Sequence, residues 1–333
     1  MKNIKNRSEV LRVVSGMRPT GNLHLGHYIG VLKNWLKLQE TYDTFYFVAD
    51  WHALSTKYDE GLDLKDLTIE LVKEWIACGI DPEKSTVFVQ SDIKEHAELY
   101  LILNMITPVS WLERNPTYKD ALSQAEYKDK NNAGFLTYPV LQTADIILYD
   151  ANYVPIGEDQ KPHLEIAREI VRRFHYLFKK EGVFVGPKEL LTEMPRLPGL
   201  DGRKMSKSYN NAIYLDETTE NIWGKVRQAK TDPARIKKTD PGHPEVCIVF
   251  EYHKAFSSPE EVKEIENACK MGSIGCVECK KRCAANIEKI VAPIREKKSA
   301  LKDDEILDII NEGKRKAKEL ASKKMEEVNK LIF

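Results

Sequence analysis

His24 and His27 stand three residues apart with Gly26 between them, in a stretch running from Arg18 to Gly30 where a strand-like run gives way to a helical period. Two imidazoles at a helix start can donate hydrogen bonds to phosphate or ribose oxygens, and the glycine lets a nucleotide approach the backbone. A second stretch, "DGRKMSKSYNN" at 201–211, sets Lys204 and Lys207 around Ser206 and Ser208, a composition suited to a mobile clamp on a polyphosphate. Taken singly, neither is decisive: paired histidines also occur in ordinary turns, and two lysines also suit a solvated basic loop.

The cysteines are a third set. Cys247, Cys269, Cys276 and Cys279 read C-x21-C-x6-C-x2-C, with Cys283 one further turn along. In a reducing compartment such a group points to a metal before disulfides, and four thiolates suit either tetrahedral zinc or a 4Fe-4S cluster. Cys78 falls near the end of a helical period and reads as a small core residue.

These groups need elements to position them. Strand-like runs at 10–14, 44–50, 85–91 and 152–157 alternate with helical periods over Tyr28–Gln39, Leu64–Cys78, His96–Met105, Phe135–Tyr149 and His163–Phe178. Such alternation predicts an α/β fold, a doubly wound parallel sheet that binds ligands at the carboxyl ends of its strands. The first histidine stretch falls at one such end. Gly79, in "GIDPEK", stops a helix and turns the chain back into a strand. After residue 190 comes a loop rich in proline and glycine, and from about 215 onward the sequence reads as helix. In the last segment Ile306, Ile310, Ala317, Leu320, Met325, Val328 and Leu331 form an apolar face between solvated lysines.

Composition narrows the function classes. The 333 residues carry 51 basic and 51 acidic side chains, so the whole chain lacks the basic signature of a nucleic-acid binder. A local excess of base at 224–238, "GKVRQAKTDPARIKK", is the best candidate for RNA contact. No apolar run approaches the roughly 20 residues of a membrane helix, and the polar start does not read as a signal peptide, so a cytoplasmic location without membrane contact is expected.

H-x-G-H after the first strand, followed much later by K-M-S-K-S, is the paired signature of the class I aminoacyl-tRNA synthetases, and the sequence resembles that family over essentially its whole length. "FVADWHAL" (47–54), "LERNPTYK" (112–119), "YPVLQTADIILY" (138–149), "VPIGEDQKPHLE" (154–165) and "LPGLDGRKMSKS" (197–208) resemble its tryptophanyl branch. The wording typical of tyrosyl enzymes in the second half of the sheet is not found. A nucleotidylyltransferase would share H-x-G-H but not the later segments. A synthetase-like RNA-binding or redox-sensing protein without catalysis is the other rival; both histidines and both lysines are retained.

The resemblance implies a Rossmann-like catalytic domain over 1–200 with a connective insertion at about 92–150. It also implies a K-M-S-K-S loop at 201–214 and an all-helical anticodon-binding domain with the cysteine cluster at 215–333. It implies activation of tryptophan by ATP and Mg2+, then transfer to tRNA(Trp), in a homodimer. The amino-acid carboxylate is already ionised at neutral pH, so its attack needs no general base. By the same resemblance, His24, His27, Lys204 and Lys207 are catalytic, and Arg18, Gly26, Lys119, Asp159, Met205 and Ser206 join His27 in holding ATP. Asp145 would accept the indole N–H, Tyr138 and Gln160 grip the amino group, and His52 lie beside the pocket. Gln142 and Val14 stand where the family often has methionine and phenylalanine. The wording "SIGCVECKK" resembles that of relatives with a 4Fe-4S cluster, one residue shorter in its first gap, which places the cluster ahead of Zn2+.

Overall fold

Five short strands run parallel: β1 Arg12–Met17, β2 Asp43–Val48, β3 Ser85–Val89 and β4 Tyr153–Ile156, all carrying β-branched or aromatic residues, and β5 Lys188–Leu191. Their order is β3-β2-β1-β4-β5, with Val13 opposite both Thr44 of β2 and Tyr153 of β4. The chain therefore winds outward from β1 in both directions, and the crevice beyond β1 and β4 is the place where such sheets take ligands. This computed structural model describes residues 11–61, 63–123, 131–191 and 196–333.

The helices of the sheet region are α1 Leu25–His27, α2 Lys33–Leu38, α3 Asp50–Lys57, α4 Leu64–Cys78, α5 Glu95–Ile106, α6 Val109–Glu113, α7 Pro116–Ser123, α8 Ala133–Ile147 and α9 Lys161–Phe178. A π-turn at Tyr28–Leu32 joins α1 to α2. They cover both faces, so strand residues such as Phe45, Tyr46, Phe47 and Val48 are buried throughout. The ends of α4 follow from its sequence: the Asp63 carboxylate accepts the backbone N–H groups of Lys65 and Asp66, and Gly79 closes the helix at φ 111°.

The second half is helical: α10 Thr219–Gln228, α11 Ile248–Phe256, α12 Pro259–Lys270, α13 Cys276–Ala300 and α14 Asp303–Ile332. The apolar face expected for the last segment is present, but it returns to the sheet. α14 lies along the edge strand β3 with Gly313 against Val87, where a Cβ would come within 1.8 Å of the carbonyl oxygen. The helix thereby covers an edge that would otherwise be open to pairing. Among the described residues, no helix is long and apolar enough to cross a membrane.

Two elements depart from the sequence expectation. The run 44–50 ends as a strand at Val48, because Asp50 begins α3 and accepts the Ser91 N–H at 3.1 Å. His52 therefore stands on a helix. β5, four residues without a β-branched side chain, gave no strand signal.

Candidate active site

The residues following β1 form a loop that leads into α1 and is pinned from the other half of the chain. Leu25 N–H donates to the Ile213 carbonyl at 2.9 Å, and Leu215 N–H to that of Leu23 at 3.0 Å. Within the loop, the backbone N–H of His24 donates to His27 Nδ1 at 3.2 Å. That bond leaves the other nitrogen of a neutral His27 as the N–H donor, and His27 lines the central cavity. The two rings stack with centroids 3.8 Å apart, and His24 Nδ1 is buried without a hydrogen-bond partner. Burial, assisted by the Lys207 charge, lowers the His24 pKa to about 4; burial, then His24 and both signature lysines, lowers that of His27 to about 3. Both rings are therefore neutral at neutral pH.

The K-M-S-K-S segment folds directly onto this loop. Gly26 N–H points to Met205 Sδ at 3.3 Å, and Lys207 Nζ donates to the Thr20 carbonyl at 2.7 Å. Asn211 holds the segment in shape: its Oδ1 accepts the Ser206 N–H at 2.9 Å, and its Nδ2 donates to Asp201 at 2.7 Å and to the Lys204 carbonyl at 3.1 Å. Lys204 itself is exposed.

One cavity of about 550 Å³ brings together Val14, His52, Tyr138, Gln142, Asp145 and Gln160 with Arg18 and His27. Asp145 is its most constrained member. Its Oδ1 accepts from Gln90 Nε2 at 2.8 Å and His96 Nδ1 at 2.7 Å, and its Oδ2 from His52 Nε2 at 2.8 Å. Burial alone would push this carboxyl up, but the hydrogen bonds from His52 and His96 outweigh it and hold the pKa at about 2. The cavity thus contains an ionised acceptor at neutral pH.

Gln90, His96, His163 and Asn211 were not singled out by the sequence reading. His96 Nε2 accepts from the Tyr149 hydroxyl at 2.7 Å. His163 bridges two cavity residues, with Nε2 2.6 Å from the Tyr138 hydroxyl and Nδ1 2.8 Å from Gln160 Oε1. The one sequence signal was the spacing of Gln160 and His163 in "GEDQKPHLE", which puts them on one helical face. Lys119, exposed on α7, is not among the residues lining the cavity. Asp159 sits on the short helix Glu158–Gln160, and its side chain lies outside the described residues.

Comparison with known proteins identifies the family. Residues 5–292 match the model of tRNA synthetases class I (W and Y). The chain is 53% identical over 326 residues to the tryptophan--tRNA ligase of Thermotoga maritima, spanning 97% of this chain and 99% of the relative. It belongs to the class I tRNA synthetases. The Deinococcus radiodurans tryptophan--tRNA ligase is 41% identical over 96% of this chain and 98% of its own. Among solved structures, the Campylobacter jejuni tryptophanyl-tRNA synthetase complexed with ADP and tryptophan superposes with a TM-score of 0.87 at 33% identity, covering 97% of this chain and 99% of that one.

The synthetase places its cysteines well away from the sequence signatures in chain order. Cys247 caps α11, Cys269 lies at the end of α12, and Cys276 and Cys279 occupy the first turn of α13. The four line a common small cavity with Asp232 and Arg235. Arg235 Nη1 stands 3.7 Å from Cys269 Sγ and 3.8 Å from Cys276 Sγ, while its Nη2 donates to the carbonyls of Lys238 and Ile274. A Cβ on Gly242 would lie 2.5 Å from Cys269 Sγ, so the glycine makes room for that sulfur. Among the described residues, no three His, Cys, Asp or Glu side chains are disposed to hold a metal ion as they stand. Cys283 is 1% exposed and packs in the core beside Val249, outside this cavity. Arg235 was expected on the RNA-facing surface; its guanidinium is instead turned in toward the sulfurs.

Proposed function

We propose that the chain is a tryptophan--tRNA ligase, which activates L-tryptophan with ATP and then charges tRNA(Trp). The observation that carries this reading is buried, ionised Asp145 in the same cavity as His27 and Arg18. An indole has one polar atom, an N–H donor, and a buried site for it needs one well-held acceptor. Tyr138 and Gln160, braced by His163, take the α-amino group.

In the first step a tryptophan carboxylate oxygen attacks the α-phosphorus of ATP, and pyrophosphate leaves with its charge. No proton is removed from the nucleophile, so the work is positioning and charge stabilisation. His24 and His27 donate to the phosphates, with His24 Nδ1 supplying a buried polar atom that otherwise has no partner. Lys207, already anchored at the Thr20 carbonyl, moves to the leaving group together with Lys204, and Mg2+ accompanies the nucleotide as part of the substrate. In the second step a ribose hydroxyl of the terminal adenosine attacks the activated carbonyl and AMP departs.

Arg227, Lys230, Lys237 and Lys238 are exposed and offer phosphate contacts for the tRNA. Leu101, Met105 and Val109, exposed in succession on α5 and α6, offer an apolar patch for a second copy in a homodimer.

The cysteine set fits an anionic tetrathiolate centre, because the Arg235 guanidinium offsets its charge from hydrogen-bonding range of two sulfurs. On the resemblance of "SIGCVECKK" alone, Cys247, Cys269, Cys276 and Cys279 are read as ligands of a 4Fe-4S cluster ahead of Zn2+. It would crosslink three helices and take no part in adenylation, which has no redox step. Iron and acid-labile sulfide assays on anaerobically purified protein decide between the two.

The test of the function is charging of tRNA(Trp) transcript by labelled tryptophan. Charging that requires ATP and discriminates against tRNA(Tyr) is expected; charging of neither RNA would overturn the reading.

A further inference from the structure

Glu74 on α4 is 1% exposed and unlike any other acid near the signature loop: one of its oxygens accepts the backbone N–H of Leu23 at 2.8 Å, immediately before His24. Its other oxygen accepts from Lys298 Nζ at 3.0 Å. Lys298 lies two residues from the end of α13 and also reaches Asp216 and Glu70, each at 3.2 Å. Asp216 in turn accepts from the Asn22 side chain at 2.7 Å. A single ammonium group therefore holds two anchors of the loop, one through the backbone of Leu23 and one through the side chain of Asn22.

We infer that Lys298 is a positioning residue for the nucleotide, through which the helical half of the chain sets the geometry of the His24–His27 loop. The inference rests on the proposed role of those histidines in holding ATP. The other end of α13 begins at Cys276, so one continuous helix of 25 residues, about 37 Å long, joins the cysteine site to the loop. Glu74 is buried and Lys298 largely so, and a buried carboxylate is stable only while its cation stays in place, which makes this contact sensitive to small shifts of α13. Misplacing phosphate donors by about an ångström is enough to cost up to about 100-fold in rate.

Lys298→Met leaves Glu74 buried without its cation and can lower stability by that route alone. The paired variant Lys298→Met with Glu74→Gln removes both charges while the amide oxygen still accepts the Leu23 N–H, and Lys298→Arg keeps the charge. Two readouts separate the roles. Hydrogen exchange of the segment 18–28 is expected to quicken in Lys298→Met and in the paired variant, but not in Lys298→Arg; unchanged protection would overturn the linkage. In pyrophosphate exchange, the paired variant should lose about tenfold or more in kcat/KM for ATP, while its tryptophan Kd stays within about twofold. Equal losses for ATP and tryptophan would reduce Lys298 to a structural residue, and an unaltered kcat/KM for ATP would also overturn the inference. Were the parent protein inactive with every amino acid, the functional reading and the catalytic part of this inference would fall together, and hydrogen exchange would still decide the linkage.

Discussion

His96 Nδ1 stands 2.7 Å from Asp145 Oδ1, and neither side chain is more than 1% exposed. Since Asp145 is ionised, His96 is the donor, and its far nitrogen accepts from Tyr149. The histidine thus fixes the direction in which Asp145 presents its remaining lone pairs. Replacing it by leucine removes a charge-assisted bond worth about 1.5–3 kcal/mol. The KM for tryptophan should rise roughly 10- to 100-fold, with Tyr149→Phe giving a smaller rise and neither variant changing the KM for ATP. Steady-state exchange kinetics check this, and an unmoved tryptophan KM would show that Gln90 and His52 suffice.

Lys207 is tied to Thr20 and half-buried, and the partial loss of water around its ammonium lowers its pKa. A lysine that acts on the leaving group contributes in the transition state more than in the ground state. Lys207→Ala is therefore expected to lower the activation rate about 100-fold, the loss of one electrostatic donor, with tryptophan affinity unchanged by calorimetry. Equal losses in both would contradict the clamp.

The histidines give a pH signature. Their folded-state pKa values, about 4 for His24 and about 3 for His27, lie below the 6.5 of a free imidazole. Below 6.5 the unfolded chain binds protons that the free folded protein refuses, so stability falls as pH drops through that window. Polyphosphate beside the rings raises both values, so ATP binding near about pH 5.5 should take up protons. Calorimetry in buffers of different ionisation heat measures the uptake, which should vanish in His24→Asn with His27→Asn.

Gly313 tests the seat of the last helix. Its Cβ position falls on a backbone oxygen of β3, which cannot swing aside as a side chain would. Gly313→Ala should destabilise the protein by about 1–3 kcal/mol, read as a lowered midpoint in chemical denaturation. An unchanged midpoint would mean that α14 can lift from the strand at no cost.

What the sequence disclosed follows from where the signal is periodic. Four strands were visible in their β-branched runs, and α4 in its spacing and its closing Gly79. His52, Tyr138, Gln142, Asp145 and Gln160 could be named because they sit inside recognisable wording, and Val14 because it ends the first strand-like run; the structure draws all six to one place. Gln90 and His96 gave no sequence signal because a single polar residue on a helix or loop has no period, and their partner Asp145 lies about fifty residues away in the chain. Arg235 was misread for a related reason. A basic run reports charge, but not which way each side chain turns, and this one turns inward to sulfur. Lys298 carries no sequence signal, because its carboxylate partners Glu70, Glu74 and Asp216 lie 82 or more residues away along the chain.

In this reading the cavity selects tryptophan and couples it to ATP. Exchange of labelled pyrophosphate into ATP, with magnesium and without tRNA, run in parallel with tryptophan and tyrosine, tests it most directly. Exchange with tryptophan alone is expected. Exchange driven by tyrosine would overturn the role given to Asp145, and exchange with neither amino acid would overturn the ligase reading itself.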